Sequence, residues 1–136
     1  MIAMLQAYTV GQSITNGANI NFNNSAYETV GAVERGTDTS VITLHKAGVY
    51  RIDFNATGVT TDAGTVGAQL YVRNVAQPEA QATATTAAGA SASISFSTLV
   101  NVVPSAGMPN AVPLVVRYSG ADGTLTVADI IVTKVA

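Results

Sequence analysis

The sequence predicts an all-β antiparallel jelly-roll sandwich of about eight to ten strands, and three observations carry that expectation. Apolar and polar residues alternate with period two along nearly the whole chain, as they do where a strand buries one face. No segment shows a helical period of comparable strength. Clusters of Gly, Asn, Asp, Ser and Pro recur at short spacing between the alternating segments, where a turn has to accept their dihedrals. A chain of 136 residues suffices for one domain that buries roughly two-thirds of its unfolded surface. Residues 1–136 therefore read as a single jelly-roll unit, with residues 1–4 as a disordered lead-in.

The elements follow in order. Leu5 to Val10 reads as the first strand, stopped by Gly11-Gln12-Ser13, and Ile20 to Phe22 as a short second one before Asn23-Asn24-Ser25. Tyr27 to Glu34 reads as a third, closed by Arg35-Gly36-Thr37-Asp38. Val41 to Leu44 and Val49 to Val59 come next, joined through Lys46-Ala47-Gly48. In the second of these Tyr50, Ile52, Phe54 and Ala56 take one face, and Arg51, Asp53, Asn55 and Thr57 take the other. Gly64 to Arg73 sets Val66, Ala68, Leu70 and Val72 on one face, and Asn74-Val75-Ala76-Gln77 reads as the turn of a hairpin. Pro78 has no N–H to give a ladder, so the return strand belongs at a sheet edge.

Ala80 to Ser93 is rich in Ala, Thr and Ser and resembles a linker in composition. Either flank alone is short of a stable core, and these small residues tolerate strands, so the stretch reads as strand. From Ala92 onward Ile94, Phe96, Thr98, Val100 and Val102 share one face. The opposite face runs Ser91, Ser93, Ser95, Ser97 and then changes to Leu99, Asn101, Val103. A strand apolar on both sides in its second half is expected to be covered twice there, by the core and by another subunit. Pro104 to Asn110 reads as a loop, Val112 to Tyr118 as a strand and Ser119 to Gly123 as a turn. In the last strand, Thr124 to Val135, Leu125 and Val127 have one parity and Ile130 and Val132 the other, which predicts a β-bulge near Ala128-Asp129.

Composition narrows the function. Charged residues make up 10% of the chain, against about 25% in ordinary soluble domains, and mean hydropathy is positive at +0.33. So little strongly hydrated surface points to an oligomer. Six basic and eight acidic residues give 6 − 8 = −2 with no run of either sign, which argues against a nucleic-acid groove. Without cysteine there is neither a disulfide framework nor a thiolate metal site. No apolar run approaches the roughly 18 to 20 residues of a spanning helix, so no membrane partner is expected. The opening Met1-Ile2-Ala3-Met4-Leu5-Gln6 lacks the basic and apolar regions of a secretory signal. Either the chain is made without Sec export or a signal has been removed, and a lytic virus would release it with none.

Residues able to do chemistry are few. His45, beside Lys46 at a strand end, is a candidate pH-sensitive interface group, against the plainer reading of a solvated turn residue. Asp62, Asp122 and Asp129 are candidate calcium ligands, against simple turn chemistry, since no EF-hand spacing is present. Serine is plentiful, but no Gly-x-Ser-x-Gly elbow occurs, and the acids are scattered singly, so no catalytic residue, metal or cofactor is expected. Tyr8, Tyr27, Tyr50, Tyr71 and Tyr118 are candidates for a glycan-binding surface, with Tyr50 better placed in the core.

Ile42-Thr43-Leu44 followed by Ala47-Gly48-Val49-Tyr50-Arg51-Ile52-Asp53-Phe54 resembles the signature of the tumour necrosis factor and complement globular-head superfamily. With Gln69 to Pro78 and Phe96 to Val100, the likeness extends from about Tyr8 to Val135, toward bacterial and phage members: heads of collagen-like spore-surface glycoproteins and small phage virion proteins. The aromatic-x-Gly-aromatic motif of animal members is replaced here by Ala128-Asp129-Ile130-Ile131, and no Gly-X-Y repeat is present. The resemblance implies a ten-stranded jelly roll that assembles as a homotrimer, with the polar face of Arg51 and Asp53 turned toward neighbouring subunits. An intersubunit Arg51–Asp53 pair would then fix the register of assembly. Arg51, Asp53, Leu99, Val103 and Val115 are the expected interface. The implied function is a non-enzymatic head on a phage particle or fibre tip, made in the host cytoplasm. The alternatives are a receptor-binding module for bacterial surface carbohydrate or protein, which aromatics in loops such as Ser105 to Pro109 would favour although that loop has none, and a spore-surface or secreted head.

Overall fold

The computed structural model describes residues 3–29, 31–103 and 111–136. Every regular element among them is a strand. In chain order these are β1 (Met4–Ile14), β2 (Asn24–Glu28), β3 (Val33–Arg35), β4 (Ile42–Leu44), β5 (Gly48–Thr60), β6 (Gly64–Val72), β7 (Val75–Thr86), β8 (Ser91–Val102), β9 (Val112–Ser119) and β10 (Gly123–Lys134). They form two five-stranded antiparallel sheets, sheet A in the order β2-β1-β10-β5-β8 and sheet B in the order β3-β4-β9-β6-β7. This is the all-β jelly-roll sandwich that the alternation predicts.

The period-two reading holds where it is strongest. Tyr50, Ile52, Phe54 and Ala56 of β5 are buried, and they meet Leu114, Val116, Leu70 and Ala68 of sheet B in one apolar core. Each large aliphatic or aromatic side chain so enclosed contributes about 1.5–3 kcal/mol relative to exposure. Phe54 stacks on Phe96 at 5.2 Å and meets Phe22 edge-on at 6.3 Å, tying β5, β8 and the β2 approach together. Gly48 starts β5 at φ +145°, and a Cβ there would collide with the carbonyl of Ala136, so the Ala47-Gly48 joint is set by close approach of the chain's own end.

Several expectations need correction. Met4, placed in the disordered lead-in, opens β1, where its N–H donates to Thr29 Oγ1 at 3.0 Å and its carbonyl accepts from the Thr29 backbone at 2.9 Å. Ile20 to Phe22 is extended and buried but not a strand: Ile20 N–H bonds to Val116 and Phe22 N–H to Thr39, partners on different segments, so no ladder develops. The segment Tyr27 to Glu34 is two strands in different sheets, because the chain crosses the sandwich between them. The β6–β7 turn is the two-residue Arg73-Asn74, both left-handed at φ +51° and +64°, rather than Asn74 to Gln77. That is the mirror-type hairpin turn, and an arginine in it gives no sequence signal. Pro78 sits in the resulting irregularity of an edge strand, as its missing N–H requires.

The bulge in β10 lies at Thr126, not at Ala128-Asp129. Pairing to β5 jumps from Leu125–Gly58 to Val127–Thr57, and pairing to β1 passes directly from Val10–Val127 to Gln12–Leu125. Gly11, at φ +73°, stands opposite Thr126 and lets β1 skip in step with β10. Both strands therefore change face together, leaving Leu125, Ala128 and Ile130 inside and turning Val10 and Val127 out.

The two ends of the sandwich differ. At one, Lys134 N–H bonds to Ala3 and Val49 N–H to Ala136. At the other, tight turns are tied to one another: Gly17 N–H to Tyr118 O, Thr61 N–H to Asp122 O and Gly89 N–H to Thr60 O.

Candidate functional site

The outer face of sheet A is built by the residues that alternate with the core. Register sets Met4, Thr133, Arg51 and Leu99 in one row across β1, β10, β5 and β8. The next row is Tyr27, Gln6, Ile131, Asp53 and Ser97, and the one after is Asn24, Tyr8, Asp129, Asn55 and Ser95. Beside the bulge, Val10 and Val127 share a row with Thr57 and Ser93, whose hydroxyls lie 3.1 Å apart. Apolar and polar side chains are thus interleaved on one surface.

Its charges are balanced locally. Arg51 Nε lies 3.2 Å from Asp53 Oδ2, and Ser97 Oγ donates to Asp53 Oδ1 at 2.6 Å. Gln6 Nε2 donates to Asp129 Oδ2 at 3.0 Å. The Arg51–Asp53 pair, expected between subunits, is made within the chain, one residue removed along the same strand face. Leu99, Val103 and Val10 remain exposed at 61%, 62% and 68%. Tyr27 is half exposed.

Four of the five expected interface residues therefore come together: Arg51, Asp53 and Leu99 on adjoining strands, with Val103 just beyond β8. Val115 lies on β9 of sheet B, half-buried beside Tyr71 on the opposite outer face. Val10 and Val127 were not singled out in the sequence, and Tyr27 was singled out there only as a candidate for a glycan-binding surface. The signal that would have found the first two is Gly11, read as a strand stop when it is a bulge partner.

The other candidates are dispersed. His45 Nε2 is 3.5 Å from Glu34 Oε2 on the sheet B side of the molecule. Asp62 and Asp122 lie in adjoining turns, but Asp129 is in mid-β10 on the sheet A face, so the three do not converge. Among the described residues no group of three or more metal-ligating side chains assembles. Tyr50 and Tyr118 are core residues whose hydroxyls donate to Lys46 O at 2.7 Å and Ala121 O at 2.6 Å. Tyr71 lies under the Arg117 guanidinium at 4.1 Å on sheet B, away from Tyr8 and Tyr27 on sheet A, so the tyrosines form no single platform. The Ser105 to Pro109 loop lies outside the described residues. An apolar cleft at the turn end, between Ile14, Val59, Val66, Ile94, Tyr118 and Leu125, encloses about 20 Å³, room for little more than a water molecule.

A second surface adjoins this face. β8 ends sheet A and β7 ends sheet B, and the two are consecutive, so both sheet edges lie on one flank. From Ala80 through Val103 this flank contains no charged residue.

No protein-family model and no curated protein matches the chain. Solved structures do. Murine APRIL at pH 5.0 superposes with a TM-score of 0.76 at 8% identity over 99% of this chain and 100% of that one. Eiger TNF from S. frugiperda gives 0.74 at 15% identity, covering 98% and 94%. The globular domain of zebrafish complement 1qA gives 0.70 at 10% identity, covering 96% and 94%. The chain has the jelly-roll fold of tumour necrosis factor-like and complement globular-head proteins, and at these identities the likeness is one of fold.

Proposed function

We propose that the chain is a non-enzymatic structural head that assembles as a homotrimer and is carried on a phage particle, as a capsid decoration or a fibre tip. The observation that carries the assembly is the outer face of sheet A, where Leu99, Val103, Val10 and Tyr27 stand exposed while both carboxylates already have partners within the chain. Covering that face removes apolar surface from water without stranding an unpaired charge.

The matching surface is the uncharged β7–β8 flank. Edge strands of this length are ordinarily guarded by Lys, Pro or a cover, and here the guards are Pro78 and Glu79 at one end only. Contact between a face and a different edge is heterologous, and such contacts give a ring where the rotation between subunits closes and an open filament where it does not. The resemblance of Val41 to Phe54, Gln69 to Pro78 and Phe96 to Val100 to phage and spore-surface heads favours a ring of three and a virion as the carrier. Absolute mass by light scattering tests the assembly: three times 13.8 kDa, about 41 kDa, is expected, and a 13.8 kDa species would overturn it. Peptides of this chain in gradient-purified virions test the carrier.

A further inference from the structure

The chain contains one Asn-Gly pair, Asn16-Gly17, in the connection after β1. It occupies the centre of a β-turn closed by Ala18 N–H to Thr15 O at 3.1 Å, with Gly17 at φ +83°. Asn-Gly is the sequence most open to deamidation, because glycine puts no side chain in the path of the attacking nitrogen. In that reaction the Gly17 backbone nitrogen attacks Cγ of Asn16 and gives up its proton. A C–N bond closes a five-membered succinimide, and the side-chain nitrogen leaves as ammonia. Water then opens the ring at either carbonyl, giving aspartate or isoaspartate.

Two hydrogen bonds act on these atoms, in opposite senses. Gly120 N–H donates to Asn16 Oδ1 at 3.0 Å, which polarises the carboxamide and by itself favours attack. Gly17 N–H donates to Tyr118 O at 2.8 Å, so the proton the nucleophile must lose is held in a backbone bond to β9. The second decides the balance, since without a free nitrogen there is nothing to attack. Tyr118 is itself fixed by burial, by its N–H bond to Ala18 O at 2.9 Å and by its hydroxyl bond to Ala121 O.

We propose that Asn16-Gly17 is a conformation-gated deamidation site, slowed while the turn end is closed and converted when that end opens. Conversion to isoaspartate inserts a methylene into the main chain and moves Gly17 N–H off Tyr118 O, so an opened chain that converts this way cannot close as before. The aspartate product keeps an oxygen for Gly120 and closes normally. The site thus records openings of one end of the sandwich.

The test incubates the folded protein and the same protein in denaturant at mildly alkaline pH, with a synthetic peptide of residues 12–20 in both solutions to correct for solvent. Peptide mapping by mass spectrometry follows Asn16. Conversion about tenfold or more slower in the folded protein is expected, with hydrogen-exchange protection of the Gly17 amide of similar size. Equal corrected rates in the two states, or a faster rate in the folded protein, overturn the proposal.

Discussion

The outer faces of the two sheets answer to the same architecture and carry different chemistry. On sheet A the outward positions hold Leu99, Val10, Tyr27 and Ile131 among internally bonded Asp53 and Asp129. On sheet B they hold Thr43, Gln69, Gln81 and Thr83 around a half-buried Val115, with Arg117 laid over Tyr71 and its Nε 3.5 Å from Asn19 Oδ1. One face suits cover and the other suits water. Inward parity is dictated by the core, whereas outward positions are free to be dressed for a partner or for solvent.

The sharpest way to break the contrast is to charge each face in turn. Leu99→Asp is expected to reduce the light-scattering mass from about 41 kDa toward 13.8 kDa, whereas Val115→Asp leaves it unchanged. If Val115→Asp splits the oligomer and Leu99→Asp does not, the faces have been assigned the wrong way round. Where loss of assembly also unfolds the chain, the mass will fall together with far-ultraviolet strand signal.

Beneath the faces the sheets behave alike. Burial pushes the Tyr50 hydroxyl upward, partly opposed by its bond to Lys46 O. Burial and then the Asp122 charge push Tyr118 upward. An unfolded tyrosine titrates near 10. The folded chain retains protons that the unfolded chain releases, so this stabilisation is complete below about pH 10 and is lost as pH rises through the folded values. Melting temperature should fall in that alkaline window, and the Tyr50→Phe, Tyr118→Phe double variant should flatten the fall.

Gly11→Val probes how the sheet A face is made. A β-branched residue at φ +73° is strained, and a loss of about 1–2 kcal/mol in denaturant unfolding is expected. A smaller effect is expected on sheet B: Arg117→Ala removes a half-buried cation–π contact worth about 1 kcal/mol. A neutral result there would make the Arg117–Tyr71 stack incidental to stability.

How much of this was legible follows from physics of different range. β5, β6 and β8 were readable because one face is enclosed along their length, and burial writes itself into alternate residues. Ile20 and Phe22 were readable as buried but not as unladdered, since alternation reports a side chain's environment and not the destination of its N–H. The parity conflict in β10 was visible, but its position depended on Gly11, more than a hundred residues away in sequence. Arg51, Asp53 and Leu99 fall side by side because β5 and β8 are neighbours in sheet A and present outward residues in register. Val115 could not be assigned to a side, because outward parity does not say which sheet a strand joins.

The paired skip at Gly11 and Thr126 has an evolutionary consequence. Thr126 is an extra residue against β5, and Gly11 is its echo in β1. Losing either alone would leave one strand carrying an irregularity its neighbour no longer matches, whereas losing both would restore an unbroken ladder across three strands. In descendants of this sequence the two positions should be gained and lost as a couple, so that an insertion near the beginning of the chain is answered by one near its end.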